Sequence, residues 1–340
     1  MNIIKKININ IKINHKVLRK GRRNKIFIMV CKNILITGSN RGLGLEFVKQ
    51  LLNTNSPPDL TELQKNFLNL KILKFDLWNE DKYEEFATSV TDIVGSDGLN
   101  LLVNNAGIAP KSTKINKVTF EQMKDTLFVN TVAPLMLTKA LIPVLKTASS
   151  LFGSSNEMSI TRCGVINMSS ILGSIKENTD GGLYPYRCSK AALNAITKSL
   201  SLDLKPYKIL VNSFHPGWVR TDMGGPRAPL SPEESIKRIL TTLSTLGEEH
   251  NGEFLQYDAI AEYKNNNLPS QVGRDGKEPS YDHIFFFLER NCNPTMKMVT
   301  ETISNYDKSH QYLNSYYPLP PSLQPPTIED LITSEYNTWG

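Results

Sequence analysis

The stretch Lys32-Asn33-Ile34-Leu35-Ile36-Thr37-Gly38-Ser39-Asn40-Arg41-Gly42-Leu43-Gly44 decides how the rest of the chain is read. Residues 32–37 (KNILIT) form a short apolar run rich in β-branched side chains, as a buried strand requires, and residues 43–52 continue it with a helical pattern. Gly38, Gly42 and Gly44 lie between them with the spacing G-x-x-x-G-x-G. Glycines let a backbone approach a pyrophosphate closely, and a helix N-terminus supplies N–H groups and a positive dipole. A glycine-rich loop alone says little. Set directly between a strand and a helix, it points to a dinucleotide site on an α/β sheet.

Working outward, apolar runs alternate with helical patterns, which predicts a parallel sheet covered by helices on both faces. Strands are expected at residues 71–75 (KILKF), 99–103, 165–168, 209–214 and 252–257. Helices are expected at 43–52, 59–69, 119–146 and 186–204. Ser231-Pro232-Glu233-Glu234 is a helix start, with serine as N-cap, proline at N1 and glutamate at N3. Ile236, Ile239, Leu240 and Leu243 give that helix its apolar stripe. The fold class is therefore α/β, a Rossmann-type doubly wound parallel sheet spanning residues 30–262.

Three of these strands end in small or polar residues. Asn104-Asn105-Ala106-Gly107 follows the strand at 99–103, Ser169-Ser170 the one at 165–168, and His215-Pro216-Gly217-Trp218 the one at 209–214. The carboxyl ends of parallel strands face the ligand crevice, so these turns share one edge. Tyr186 and Lys190 stand four residues apart on a predicted helix, which puts phenol and ammonium on one face. A nearby positive charge lowers a tyrosine pKa and equips the phenol to hand a proton to a carbonyl oxygen. That spacing is common by itself; its company gives it weight.

Taken in order, TGxxxGxG, NNAG, Phe128-Val129-Asn130, INMSS, YxxxK and PGWVRTDM resemble the classical short-chain dehydrogenase/reductase family. The runs 166–174 (INMSSILGS), 178–184 (NTDGGLY) and 215–225 (HPGWVRTDMGG) are similar to those of its Sniffer-like carbonyl reductases. The resemblance implies an NADP-dependent oxidoreductase acting on a small carbonyl substrate. Tyr186 would then be the proton donor, Lys190 would lower its pKa and hold the nicotinamide ribose, and Ser170 would bond the developing oxyanion. Asn130 would anchor a water that relays protons to Lys190. Gly38, Asn40, Arg41, Gly42, Leu43 and Gly44 would hold the cofactor's phosphates, and Asp76 and Leu77 would frame its adenine. Asn104, Ala106 and Gly107 would line the crevice. Pro216, Gly217, Val219 and Thr221 would shape the nicotinamide end, with residues 223–230 in a lid. Arg41 stands where relatives set a basic side chain against the 2′-phosphate of NADP. Tyr184 is a rival phenol, but Cys188 and not a lysine stands four residues on, so it is expected in the pocket wall or in packing. Ser169 is expected to be structural. Relatives often pair through the helices that carry Asn130 and Tyr186, so a homodimer is one expectation.

One departure matters. Between the helix at 43–52 and the next at 59–69 lies Asn53-Thr54-Asn55-Ser56-Pro57-Pro58, and a double proline cannot form a central strand. The second strand of the sheet, whose tip in the family selects the cofactor, is therefore missing. Either the third strand moves against the first or a gap remains. Two further readings stay open: a non-catalytic or cofactor-impaired remnant, motivated by this loss, and an alcohol or steroid dehydrogenase working in the oxidative direction.

Composition narrows the rest. Hydrophobic residues make up 40% and charged residues 21% of the chain, which reads as soluble and globular. The net charge of +6 misleads: ten of the 39 basic residues fall in residues 1–33, which hold no acid, leaving 29 basic against 33 acidic residues in the body. A mildly acidic body argues against nucleic-acid binding. No uninterrupted apolar run approaches the roughly 20 residues of a membrane span. Residues 1–29 read as a disordered basic arm, or as a segment preceding a start at Met29; their period-two alternation does not suit a mitochondrial presequence. Residues 263–340 read as a poorly ordered extension, with a short strand or aggregation-prone block at 284–288. The four cysteines form no CxxC, so reduced thiols in a cytoplasmic protein without a metal are expected.

Overall fold

Two short strands, Ile7–Ile9 (β1) and Ile11–Lys12 (β2), lie in the basic arm. The body then runs through Asn33–Ile36 (β3), Gly42–Leu51 (α1), Leu60–Asn66 (α2), Leu73–Phe75 (β4), Tyr83–Val94 (α3) and Leu101–Asn104 (β5). Phe120–Leu127 (α4), Ala133–Ser150 (α5), Gly164–Met168 (β6), Tyr184–Asp203 (α6), Leu210–His215 (β7), Pro232–Leu243 (α7) and Phe254–Gln256 (β8) complete it. The computed structural model describes residues 7–9, 11–12, 31–52, 60–110, 114–153 and 157–258. The block at 284–288, the double proline at 57–58 and the extension from 263 lie outside these residues.

β3, β5, β6, β7 and β8 pair in that order, all parallel. Their register follows from side-chain alternation. Leu35, Leu102, Val165 and Val211 stand opposite one another in successive strands and point to one face. There they meet Phe86 and Val90 of α3, Leu137 and Leu141 of α5 and Leu200 of α6. Ile34, Ile36, Leu101, Val103 and Ile166 point to the other face, against Phe47 and Val48 of α1, Leu63 of α2 and Ile236 and Ile239 of α7. A one-residue slip in any strand would exchange the two sets, so both cores fix the register. The fold is the expected doubly wound sheet. The Ser231 hydroxyl caps α7 by accepting the Glu234 N–H at 3.2 Å, as the sequence predicts.

Three features differ from the sequence reading. α3, unmarked there, supplies Tyr83, Phe86, Ala87, Val90 and Val94 to the core. The long helix expected at 119–146 is interrupted by one π-helical turn, Phe128–Val132, which joins α4 to α5. The helical run Phe120–Ser150 is also long and apolar enough to cross a bilayer, contrary to the sequence reading, but much of it is buried against the sheet and α3.

Among the described residues, the third strand has not moved against the first: β4 belongs to a two-stranded sheet separate from the six-stranded sheet that contains β3. β4 does not pair with β3. β1 pairs antiparallel with β4, Ile7 opposite Phe75, and β2 pairs antiparallel with β3, Ile11 opposite Ile34. Part of the arm that composition reads as disordered is thus strand.

Candidate active site

Because β3, β5, β6 and β7 are parallel and in register, the residues after them leave the sheet at one edge. Gly38 (φ +66°) turns the chain there, and a Cβ on it would lie 3.0 Å from the Ala106 Cα. The Thr37 hydroxyl accepts the N–H groups of Asn105 and Ala106, both at 2.9 Å. The Asn105 side chain donates back to the Thr37 carbonyl at 2.9 Å. The glycine-rich loop and the NNAG turn are therefore one rigid unit. The first hydrogen bond of α1 runs from the Leu45 N–H to the Arg41 carbonyl. The N–H groups of Gly42, Leu43 and Gly44 precede it and have no intrahelical partner, which fits an anionic pyrophosphate. Asn40 and Arg41 are exposed beside them.

Asp76 and Leu77 follow β4. The Asp76 carboxylate accepts the Trp78 N–H at 3.2 Å, and the Leu77 carbonyl accepts the Tyr83 hydroxyl at 2.7 Å, so α3 fixes this turn. Asn104, expected to face the crevice, is buried and donates to Asn167 at 2.9 Å and Thr138 at 3.2 Å. Its side chain ties β5 to β6 and α5; a Cβ on Gly107 would lie 3.2 Å from Asn130 Oδ1 and 3.7 Å from Lys190 Nζ.

The catalytic candidates converge below this loop. Gly181, Gly182 and Leu183 all have positive φ, and the last is a left-handed leucine directly ahead of α6. That conformation is costly for a side chain with a Cβ, and such strain clusters at active sites. Tyr186 and Lys190 then share one face of α6, with the Lys190 Nζ 5.5 Å from the phenol ring centroid. The amine donates to the Met168 carbonyl, at the end of β6, at 2.7 Å. The Ser170 hydroxyl accepts the Leu172 N–H at 3.2 Å, which leaves its proton for the Tyr186 oxygen, to which it is hydrogen-bonded.

Burial sets the protonation. It pushes the Tyr186 phenol up to about 12, with the Ser170 hydrogen bond pulling the other way. It lowers the Lys190 amine to about 8. The sequence reading expected lysine to lower the tyrosine. Desolvation wins instead, because both charged forms lose water and the lysine gives up part of its charge. Tyr186 is held as an acid.

Asn130 lies in the π-helical turn. Its side chain accepts the Ile108 N–H at 2.8 Å and donates to the Ile108 carbonyl at 2.9 Å and to Ser189 at 3.0 Å. Both amide protons are spent, so a relay water would be held by another group. Thr131 donates to the Ser189 carbonyl at 2.9 Å and Ser189 to the Tyr186 carbonyl at 2.8 Å, which locks this turn to α6. Ser169 spends its hydroxyl on Asn194 at 2.6 Å, a structural role as expected.

The segment after β7 folds back over the loop. Val219 bridges to Leu230, and the Pro216 carbonyl accepts the Ser235 hydroxyl at 2.6 Å. A Cβ on Gly217 would lie 2.3 Å from Leu230 Cδ1, and one on Gly42 would lie 3.5 Å from the Thr221 methyl. Arg41, read as a 2′-phosphate ligand, pairs with Asp222 at 2.9 Å, with both side chains largely exposed.

A family model described as short chain dehydrogenase matches residues 32–229. The chain belongs to the short-chain dehydrogenase family. Its structure is similar to that of the carbonyl reductase Sniffer of D. melanogaster, with 51% identity and a TM-score of 0.63 over 66% of this chain and 96% of that one. It also resembles the NADPH-bound carbonyl reductase from chicken fatty liver, with 35% identity and a TM-score of 0.61 over 65% and 90% of the two chains. The C-signal protein of Myxococcus xanthus is 37% identical over 172 residues, 51% of this chain and 94% of its own length. As a short-chain dehydrogenase, the chain is an oxidoreductase with carbonyl reductases among its structural neighbours.

Sequence reading missed Thr37, Asn105, Ser189 and Asp222. Thr37 and Asn105 lie within the quoted motifs TGxxxGxG and NNAG and Ser189 directly precedes the lysine, so their positions were a signal; Asp222 is joined to Arg41 by folding alone. One test follows from the loop packing. A Cβ on Gly44 would lie 2.3 Å from the Gly38 carbonyl oxygen and 2.6 Å from Asn105 Nδ2. Gly44→Ala is expected to lower stability by about 2 kcal/mol in urea unfolding; an unchanged midpoint would mean the loop is not packed this way.

Proposed function

We propose that the chain is an NADPH-dependent carbonyl reductase of small ketones, aldehydes or quinones. The observation that carries this reading is the Tyr186 phenol, bonded to Ser170, with the buried Lys190 amine of the same helix 5.5 Å from its ring centroid. The likeness to Sniffer and to an NADPH-bound carbonyl reductase supports it. When bound, the nicotinamide supplies a hydride to the carbonyl carbon. Tyr186 gives its proton to the carbonyl oxygen, and the Ser170 hydroxyl donates to that same oxygen as charge gathers on it. The protonated Lys190 stabilises the phenolate left behind. Pro216, Gly217, Val219 and Thr221 exclude water from the nicotinamide end.

The reductive direction fits the protonation state. A phenol near 12 is an acid through the physiological range, whereas oxidation of an alcohol needs phenolate. The cofactor-impaired reading draws on the absent parallel second strand, and titration with NADPH separates it from ours.

Tyr186→Phe is expected to cut kcat/KM for a reactive dicarbonyl by roughly 10²–10⁴-fold, the usual weight of a general acid; a variant as active as the parent ends the catalytic claim. Lys190 is charged below its pKa of about 8 and neutral above it. The kcat/KM for reduction should therefore be flat on the acid side and fall about tenfold per pH unit on the basic side. A rise from pH 7 to 9.5 would contradict the role given to the lysine.

An exposed ion pair is worth about 0–1 kcal/mol, so Arg41 can leave Asp222 for a phosphate at small cost. Calorimetric titration of Arg41→Ala is expected to show NADPH bound at least tenfold more weakly with NADH unchanged, and of Asp222→Asn to show NADPH bound more tightly. Equal losses for both nucleotides would remove Arg41 as the selector.

A further inference from the structure

Among the described residues, β4 has one strand partner, and that partner is β1. A three-residue strand does not persist on its own, and its unpaired N–H and C=O groups need acceptors and donors. β3 has the same need on the side away from β5, and β2 meets it. One segment, residues 7–12, thus serves both neighbours of the missing strand, β4 first and then β3. β1 is antiparallel to β4 and β2 to β3, the first pair in a two-stranded sheet of its own and the second in the six-stranded sheet.

We propose that the basic arm supplies surrogate strands for the lost second strand, residues 7–9 pairing with β4 and residues 11–12 with β3, and that the chain's nucleotide affinity depends on them. The segment Ile7-Asn8-Ile9-Asn10-Ile11-Lys12 alternates β-branched and polar residues with the period of a strand. Residues 53–58, which should have supplied the strand, contain the double proline that forbids it. The effect reaches the site through covalent continuity. The arm holds β4, β4 leads into Asp76 and Leu77, and the Trp78 N–H and Tyr83 hydroxyl bond that turn rigidly. The adenosine end is therefore assembled from two distant parts of the chain, and withdrawing the arm frees β4 while the parallel strands β5, β6 and β7 stay paired. This dependence rests on the cofactor reading above; the strand pairing does not.

The test is hydrogen–deuterium exchange and NADPH titration on the full-length chain, its Ile9→Pro/Ile11→Pro variant and a chain lacking residues 1–12. Proline removes N–H groups from the ladder without changing the arm's charge. Expected are at least tenfold faster exchange at Leu73–Phe75 and at least tenfold weaker NADPH binding in both variants, with exchange at Leu210–His215 unchanged. A peptide of residues 1–14 added to the truncated chain should restore both. Unchanged exchange at Leu73–Phe75 overturns the surrogate strand. Faster exchange there with NADPH affinity within twofold of the parent overturns the coupling. Loss of protection at Leu210–His215 also counts against it, because the arm would then hold the whole domain. If the parent itself fails to bind NADPH, the proposed function falls, and the exchange data alone decide the strand.

Discussion

The common register of β3, β5, β6 and β7 is the constraint on which the site depends. Val103 lies opposite Ile36 and Ile166, and Ile166 opposite Asn212, so four strands finish at nearly one level. Two apolar cores, one on each face, punish any slip by burying the wrong set of side chains. Short extensions from those ends then receive what the helices bring: the Thr37 hydroxyl gathers the NNAG turn, the Met168 carbonyl takes the lysine amine, and the Ser170 hydroxyl lies beside the phenol.

Within that frame, chemistry is tuned by dryness more than by charge. A lysine and a tyrosine in water would differ little in the pH at which they titrate. Burial moves them apart, to about 8 and about 12. The separation assigns each group its job, an acid that keeps its proton and a cation that can be lost. Hydrogen bonds refine the result: the Ser170 hydroxyl, which also accepts the Leu172 N–H, is bonded to the phenol and pulls its pKa down against burial. The π-helical turn contributes in another way, by spending the whole Asn130 amide on the Ile108 backbone and Ser189.

Much of this was legible in the chain. Strands at 33–36, 101–104 and 164–168 betray themselves as apolar runs ending in turn residues, and the Ser231 cap is a local signal that needs no tertiary partner. The four catalytic candidates, Asn130, Ser170, Tyr186 and Lys190, come together as their motifs imply. What escaped was settled between distant segments. The pairing of Ile7 with Phe75 has no trace in local composition, which registers ten basic residues and reads disorder. Asn104 and Asn105 are the same residue type in neighbouring positions, and only strand alternation sends one inward and the other to the loop. The direction of the tyrosine pKa depends on burial, which a motif does not state.

The helical run Phe120–Ser150 has a consequence for how the chain is made. Its buried face waits for Val165, Leu200 and Val211, all of them later in the chain. At about 5–20 residues per second, the 60 or so residues between its end and Val211 take roughly 3–12 s to synthesise. Throughout that interval a segment apolar enough for a bilayer stands beside the ribosome with only its earlier neighbours, α3 and β5, to cover it. Part of its apolar face therefore lacks its final cover until β6, α6 and β7 have been made, so the packing of this helix is completed late.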